Sequence, residues 1–244
     1  MDRTPVKEIL QIWEQGERKT LLDNSLELLR ISSFATTKDD PATLSIGERD
    51  IRLLRLRRQM FGSHFTNVAH CPACKEQVEW TTSVADLIAS HKAQKTELID
   101  AYIQSYHIQF RLPNSSDLLN IAVTHNEEAA TKAFLLQCIQ GVENENQTCD
   151  PAELPDDVLD QLDKHISEED PLAVIRMSLT CPGCAHKWPL TFDIISYLWI
   201  EIDHWARHTL REVAQIAYAF GWSESEILSM SSRRRKIYLK MIGV

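Results

Sequence analysis

Cys71-Pro-Ala-Cys74 and Cys181-Pro-Gly-Cys184 are the two stretches on which the fold of this 244-residue chain turns. Each is a Cys-Pro-x-Cys knuckle. Proline fixes one backbone angle, and the two thiolates of the turn can converge on one ion. A structural zinc ion takes four ligands in a tetrahedron, so one knuckle is half a site and two make a whole one. Each knuckle leads into an alternating stretch, Gln77-Val-Glu-Trp-Thr-Thr82 and Lys187-Trp-Pro-Leu-Thr-Phe192, that reads as a strand. This is the zinc-ribbon pattern. It predicts that Cys71, Cys74, Cys181 and Cys184 hold one structural Zn2+ per chain.

The interval between the knuckles is long. From Cys74 to Cys181 the chain advances 107 positions, against roughly 15–20 residues between the pairs of a single ribbon. An insertion explains it, because the entropy of closing a loop grows slowly with its length. Ala173 to Thr180 reads as the strand entering the second knuckle, and Tyr106-His-Ile-Gln-Phe-Arg-Leu112 as a further strand on the ribbon side, ended by Pro113.

Three other readings of the cysteines compete. A redox Cys-x-x-Cys sits at the start of a helix after a strand, whereas each motif here precedes a strand. Disulfides belong to oxidising compartments. The run Met1-Asp-Arg-Thr-Pro5 enters an amphipathic helix with no apolar signal region, so the expected location is cytoplasmic, at a site of assembly. The third alternative is no metal at all. Catalytic zinc is disfavoured, since four thiolates leave no position for water or substrate. His70 and His186 flank the knuckles as outer groups.

Outward from the knuckles the pattern is helical. Residues Val6 to Leu29 read as a helix bent near Gly16, and Ser45 opens a second that ends near Phe61-Gly62. Arg52, Arg55, Arg57 and Arg58 lie in that second helix; a solvated or ion-paired face explains them better than a nucleic-acid patch. Thr124-His-Asn-Glu127 has capping-box spacing before a helix running to Gly141, and Cys138 reads as a small core residue. Glu143 to Asp170 is strongly acidic, with a short, exposed helix near Pro155 to His165 and Cys149 in a polar loop. Ile194 to Phe220 reads as one long helix broken by Gly221. Ser223-Glu-Ser-Glu226 is a second capping box, flanked by a Trp222–Ile227 staple.

Composition bounds the function. Asp and Glu number 35 against 26 Lys and Arg, a net charge of −9, which argues against nonspecific nucleic-acid binding. No run of about 18 apolar residues suggests a membrane span. Glu201, His204 and His208 share a helix face, but carboxylate-bridged metal sites need a second Glu-x-x-His helix, and the sequence has none. Phosphate loops, Gly-x-Ser-x-Gly elbows and His-Glu-x-x-His motifs are also absent. No catalytic or cofactor-binding residue is therefore assigned beyond the zinc ligands.

Gly47-Glu-Arg-Asp-Ile-Arg-Leu-Leu-Arg-Leu-Arg-Arg-Gln-Met-Phe-Gly62, leading into the first knuckle, resembles the baseplate hub protein family of T-even phages. So do Phe110-Arg-Leu-Pro-Asn-Ser-Ser-Asp-Leu118, Gly221-Trp-Ser-Glu-Ser-Glu-Ile-Leu228 and Ser232-Arg-Arg-Arg-Lys-Ile-Tyr-Leu239. The resemblance runs from about residue 40 to the end and departs at Lys75, where glycine is commoner. Relatives of that family occur in phage-like contractile injection systems. It implies a non-enzymatic baseplate component or assembly factor whose partners are other baseplate or hub proteins. It implies no catalytic residues and leaves the oligomeric state open.

The expected architecture is mainly α with a small antiparallel zinc-ribbon sheet and a helical insertion between the knuckles. The expected regions are an N-terminal helical part (1–62), a split ribbon (63–116 and 171–193), an inserted acidic helical lobe (117–170) and C-terminal helices (194–244). A zinc-ribbon nucleic-acid adaptor is the alternative, with Arg52, Arg55, Arg57 and Arg58, or the Arg233 to Lys236 run, as its phosphate contacts.

Overall fold

The computed structural model describes residues 6–32, 40–89, 98–121, 127–145 and 147–243. Its elements in chain order are α1 (Val6–Gln15), α2 (Leu21–Ile31), α3 (Ile46–Phe61), β1 (His64–His70), β2 (Gln77–Ser83), α4 (Val84–Ile88), β3 (Ile99–Ile103), β4 (Tyr106–Phe110) and α5 (Ser115–Ile121). There follow α6 (Glu127–Cys138), β5 (Ile139–Asn144), β6 (Gln147–Thr148), α7 (Asp156–Glu169), β7 (Ile175–Thr180), β8 (Lys187–Phe192), α8 (Ile194–Phe220), α9 (Glu224–Ser229) and α10 (Ser232–Met241). The chain is mostly helical, with small antiparallel sheets. It divides into two units, Met1–Ser33 with Ile194–Val244, and Phe34–Asp193.

The first unit is helical. The bend expected near Gly16 is a short 3-10 turn, Gly16–Arg18, between α1 and α2. The site admits only glycine: a Cβ at Gly16 would lie 2.4 Å from the Trp199 ring. Thr20 and Asp23 then form a capping box that starts α2. The long helix α8 has the expected limits, and Gly221 ends it with φ +67, a conformation that favours glycine. Ser223 and Glu226 cap α9 reciprocally, and Trp222 packs on the cluster that contains Ile227. That cluster joins Leu10, Ala206, Val213, Ile216, Ile227, Leu228 and Leu239.

The second unit carries three sheets. β1 pairs with β2 and β7 with β8, each an antiparallel hairpin, and β3-β4-β5-β6 form a four-stranded sheet. The expected strand at 106–112 is present as β4, but it pairs with β3 and β5 and not with a knuckle hairpin. Its nearest partner arrives through a two-residue turn, with Gln104 at φ 55. One face of this sheet (Ala101, Ile103, Ile108, Phe110, Val142) packs on Val158, Leu159, Leu162 and Ile166 of α7. The acidic helix is therefore longer than expected and amphipathic: its apolar stripe is buried, and only the carboxylate face meets water.

Gly141 does not end α6. The helix stops at Cys138 and the chain passes directly into β5. Arg111 supplies the missing cap: its main-chain N–H donates to the Cys138 carbonyl at 2.9 Å and its guanidinium to the Gln137 carbonyl at 3.1 Å. Cys138 is buried, as expected of a core residue, and burial pushes its thiol up to about 12. The arginine-rich α3 is not uniformly solvated. Arg57 is buried, donating to the carbonyls of Gly62 and His64, while Arg52 pairs with Glu48 at 2.8 Å. The capping box expected at Thr124 lies outside the described residues.

Candidate metal centre

The two hairpins are built alike, residue i matching residue i + 110. In the first, the Cys71 N–H donates to the Glu76 carbonyl and the Lys75 N–H to the Cys71 carbonyl, both at 2.9 Å. In the second, the Cys181 N–H donates to His186 and the Ala185 N–H to Cys181, again at 2.9 Å. Lys75 and Ala185 both adopt the left-handed conformation, at φ 64 and φ 59. Below the turns, His70 pairs with Gln77 and Thr180 with Lys187. The duplication extends past the knuckles, because each hairpin runs straight into a helix, at Val84 and at Ile194.

This geometry turns the four thiols toward one point. All four sulfurs lie within 4.8 Å of one another. Cys71 Sγ is 3.7 Å from Cys184 Sγ, and Cys74 Sγ is 3.5 Å from Cys181 Sγ. A tetrahedral zinc with Zn–S of about 2.3 Å sets its sulfurs about 3.8 Å apart, near these two distances, so the donor set is compatible with such an ion. The four cysteines could therefore bind a metal ion. They form no disulfide.

Burial is uneven: Cys71 and Cys181 are buried, Cys74 and Cys184 exposed. Val78 and Trp188, four residues beyond the second cysteine of each knuckle, pack on the buried sulfurs and close the apolar side of the site. Electrostatics favour one thiolate among several thiols. Burial opposes ionisation of Cys71, but the N–H groups of Cys74 and Ala73 and the neighbouring thiols outweigh it, bringing the group down to about 7. At Cys74 the Glu76 N–H lowers the value, yet the Cys184 and Cys181 sulfurs prevail and push it up to about 12. The His186 N–H likewise acts to lower Cys184, but burial and the Cys181 and Cys71 sulfurs raise it above its ordinary value. Cys71, Cys74, Cys181 and Cys184 would all be held as thiolates by a bound cation, which would remove this competition.

The hairpins are also tied away from the sulfurs. The Phe65 ring of β1 stacks on Phe192 of β8, centroids 5.4 Å apart, and the Arg57 guanidinium lies 4.7 Å over the Phe65 ring. Phe65 did not figure in the sequence reading, and Phe192 did so only as the last residue of a strand. Their signal was the place each holds in its strand, Phe65 six residues before Cys71 and Phe192 eight after Cys184.

The flanking histidines keep off the sulfurs' ligand positions: His186 stacks near Trp188, and His70 ends β1 exposed. The other titratable constellation does not assemble. Among the described residues, the four cysteines are the one group of three or more His, Cys, Asp or Glu side chains able to hold a metal. His208 instead faces Glu212 at 3.2 Å, and Glu212 also pairs with buried Arg235 at 2.9 Å. Among the described residues no helix is long and apolar enough to cross a membrane.

The model of one protein family, described as T4 bacteriophage base plate protein, matches residues 5–199. No curated protein and no solved structure matches the chain.

Proposed function

The chain belongs to the T4 bacteriophage base plate protein family, and from that premise we propose that it is a non-enzymatic baseplate component or assembly factor of a contractile phage tail-like injection system, stabilised by one structural zinc. Family membership implies assembly with other baseplate proteins. The observation that carries the zinc reading is the four-sulfur cluster, whose spacing fits a tetrahedral ion. Cys71 and Cys74 would hold it from one hairpin, Cys181 and Cys184 from the other. Its chemistry there is structural: four thiolates fill every ligand position, and metal binding contributes directly to folding.

The experiment is electron microscopy of particles from a strain lacking the gene. Baseplate-less or absent particles support the assembly role; normal, active particles contradict it. A second reading, a zinc-ribbon nucleic-acid adaptor, is favoured by one observation. Arg233, Arg234, Lys236 and Lys240 all face solvent on α10, a helix without a carboxylate. Retention on heparin or DNA resin at moderate salt separates the two; the acidic balance of the whole chain predicts none.

A further inference from the structure

Charge is divided unevenly along the chain. Residues 117–170 hold fourteen Asp and Glu against two Lys and Arg, whereas residues 194–244 hold five against seven. Each region contains a helix that turns a row of like charges to solvent. Asp156, Asp160 and Asp163 are exposed on α7, whose buried side is Val158, Leu159, Leu162 and Ile166. Arg233, Lys236 and Lys240 are exposed on α10, whose buried residues are Arg235 and Leu239. We propose that these rows are the two halves of one self-association surface, with α7 of one copy of this chain lying antiparallel on α10 of a second copy.

Spacing matches as well as sign. At about 1.5 Å of rise per residue, Asp156, Asp160 and Asp163 follow one another along α7 at steps of about 6.0 and 4.5 Å. Read from its C-terminal end, α10 places Lys240, Lys236 and Arg233 at the same two steps. Neighbours in each row are three or four residues apart and so share a helix face. Antiparallel packing then sets Asp156 against Lys240, Asp160 against Lys236 and Asp163 against Arg233 in one register. A parallel arrangement puts the middle pair one residue out of step. The phosphates of a nucleic acid would meet the same cations, but the matching spacing is that of α7.

The charges are available for such a contact. Among the described residues of their own units, Asp160, Asp163, Arg233, Lys236 and Lys240 make no ion pair, and Asp156 meets Lys132 at 2.9 Å. No carboxylate on α10 neutralises its row, and Lys164 is the one lysine of α7. Exposed ion pairs are weak singly and are screened by salt, so the contact has low affinity and forms where local concentration is high, as inside an assembly. It joins two different faces: a two-fold dimer makes it twice, and a ring makes it at each junction. None of the four cysteines takes part, so the contact does not depend on the metal.

The test uses the full chain in sedimentation equilibrium over a concentration series, in low and high salt. The expected mass exceeds the 28.0 kDa of one chain in low salt, rises with concentration, and returns to 28.0 kDa in high salt. One variant carries Arg233→Glu, Lys236→Glu and Lys240→Glu; a second carries Asp156→Lys, Asp160→Lys and Asp163→Lys. With folding checked by circular dichroism, each should stay monomeric alone, and their equimolar mixture should associate again. Cross-linking needs no variant. A carbodiimide, which joins carboxylates to amines in contact, should link Asp160 to Lys236 and Asp156 to Lys240 in wild-type protein. When isotope-labelled and unlabelled chains are mixed, the linked peptides should include mixed-label pairs. A wild-type chain that is monomeric throughout overturns the proposal. So does association that either folded variant retains, a mixture of folded variants that stays monomeric, or links confined to one label, which place the pairing inside a single chain. DNA-resin retention that the α10 variant loses, beside a monomeric wild type, assigns the basic row to nucleic acid instead.

Discussion

The main-chain N–H of Gly47 donates to the carboxylate of Asp170 across 2.9 Å, although 123 positions separate them. Gly47 lies in the first turn of α3, where N–H groups have no partner within the helix, and a carboxylate there also meets the positive end of the helix dipole. The approach admits no side chain: a Cβ on Gly47 would lie 1.9 Å from Asp170 Oδ1. Gly47→Ala should therefore cost about 1–3 kcal/mol in urea unfolding. The double variant with Asp170→Ala should cost clearly less than the sum of the two single changes, since the second relieves the clash made by the first. Strict additivity would show that the contact does not hold α3.

Ala185 and Lys75 occupy φ 59 and φ 64 without being glycine. Side chains in that region carry strain of roughly 1 kcal/mol or more, which glycine avoids. Ala185→Gly should raise stability by about 0.5–1 kcal/mol after the entropy of the added glycine is counted. Ala185→Val should lower it, and calorimetry of the three chains gives the order.

Phe65 and Phe192 tie the hairpins independently of the sulfurs. Both rings are buried, so Phe192→Ala should cost about 3–5 kcal/mol. Metal content per folded chain should stay unchanged. Loss of metal together with stability would mean that the stack positions the cysteines.

Asp50 gives a pH signature. Burial raises its carboxyl from 3.8 to about 6; neighbouring Arg49 opposes the rise, and Asp193 and Asp170 add to it. The folded chain then binds more protons than the unfolded one between about pH 4 and pH 6. Asp50's contribution to stability thus falls as pH climbs through that window, by on the order of 3 kcal/mol. Asp50→Asn should lack this slope, although it weakens the 2.7 Å pairing with Arg49. Parallel stability–pH curves for the two chains would refute the assignment. Protonation of the cysteines affects both chains alike.

What the sequence revealed follows the range of each interaction. The knuckles, the Ser223–Glu226 box and the limits of α8 depend on neighbours within a few residues, and all were legible. β1 was not, because His-Phe-Thr-Asn-Val-Ala-His buries only Phe65 and Asn67 and so lacks an apolar alternation. The end of α6 was misread because its cap is Arg111, distant in sequence, and not the glycine that the local pattern suggested. The acidic helix α7 looked exposed because its charges outnumber its apolar stripe, and the stripe's partner is a sheet assembled from strands on either side of α6. At the site, the four cysteines that come together were readable from spacing. The likeness of the two hairpins beyond their cysteines was not, because it resides in backbone register and not in shared side chains.

Elemental analysis of the purified chain, wild type beside Cys181→Ser, tests the central claim most directly. The account predicts about one zinc per wild-type chain, little in the variant, and a lower melting temperature for the variant. Wild-type protein without zinc, or a variant with full zinc and unchanged melting, would contradict it.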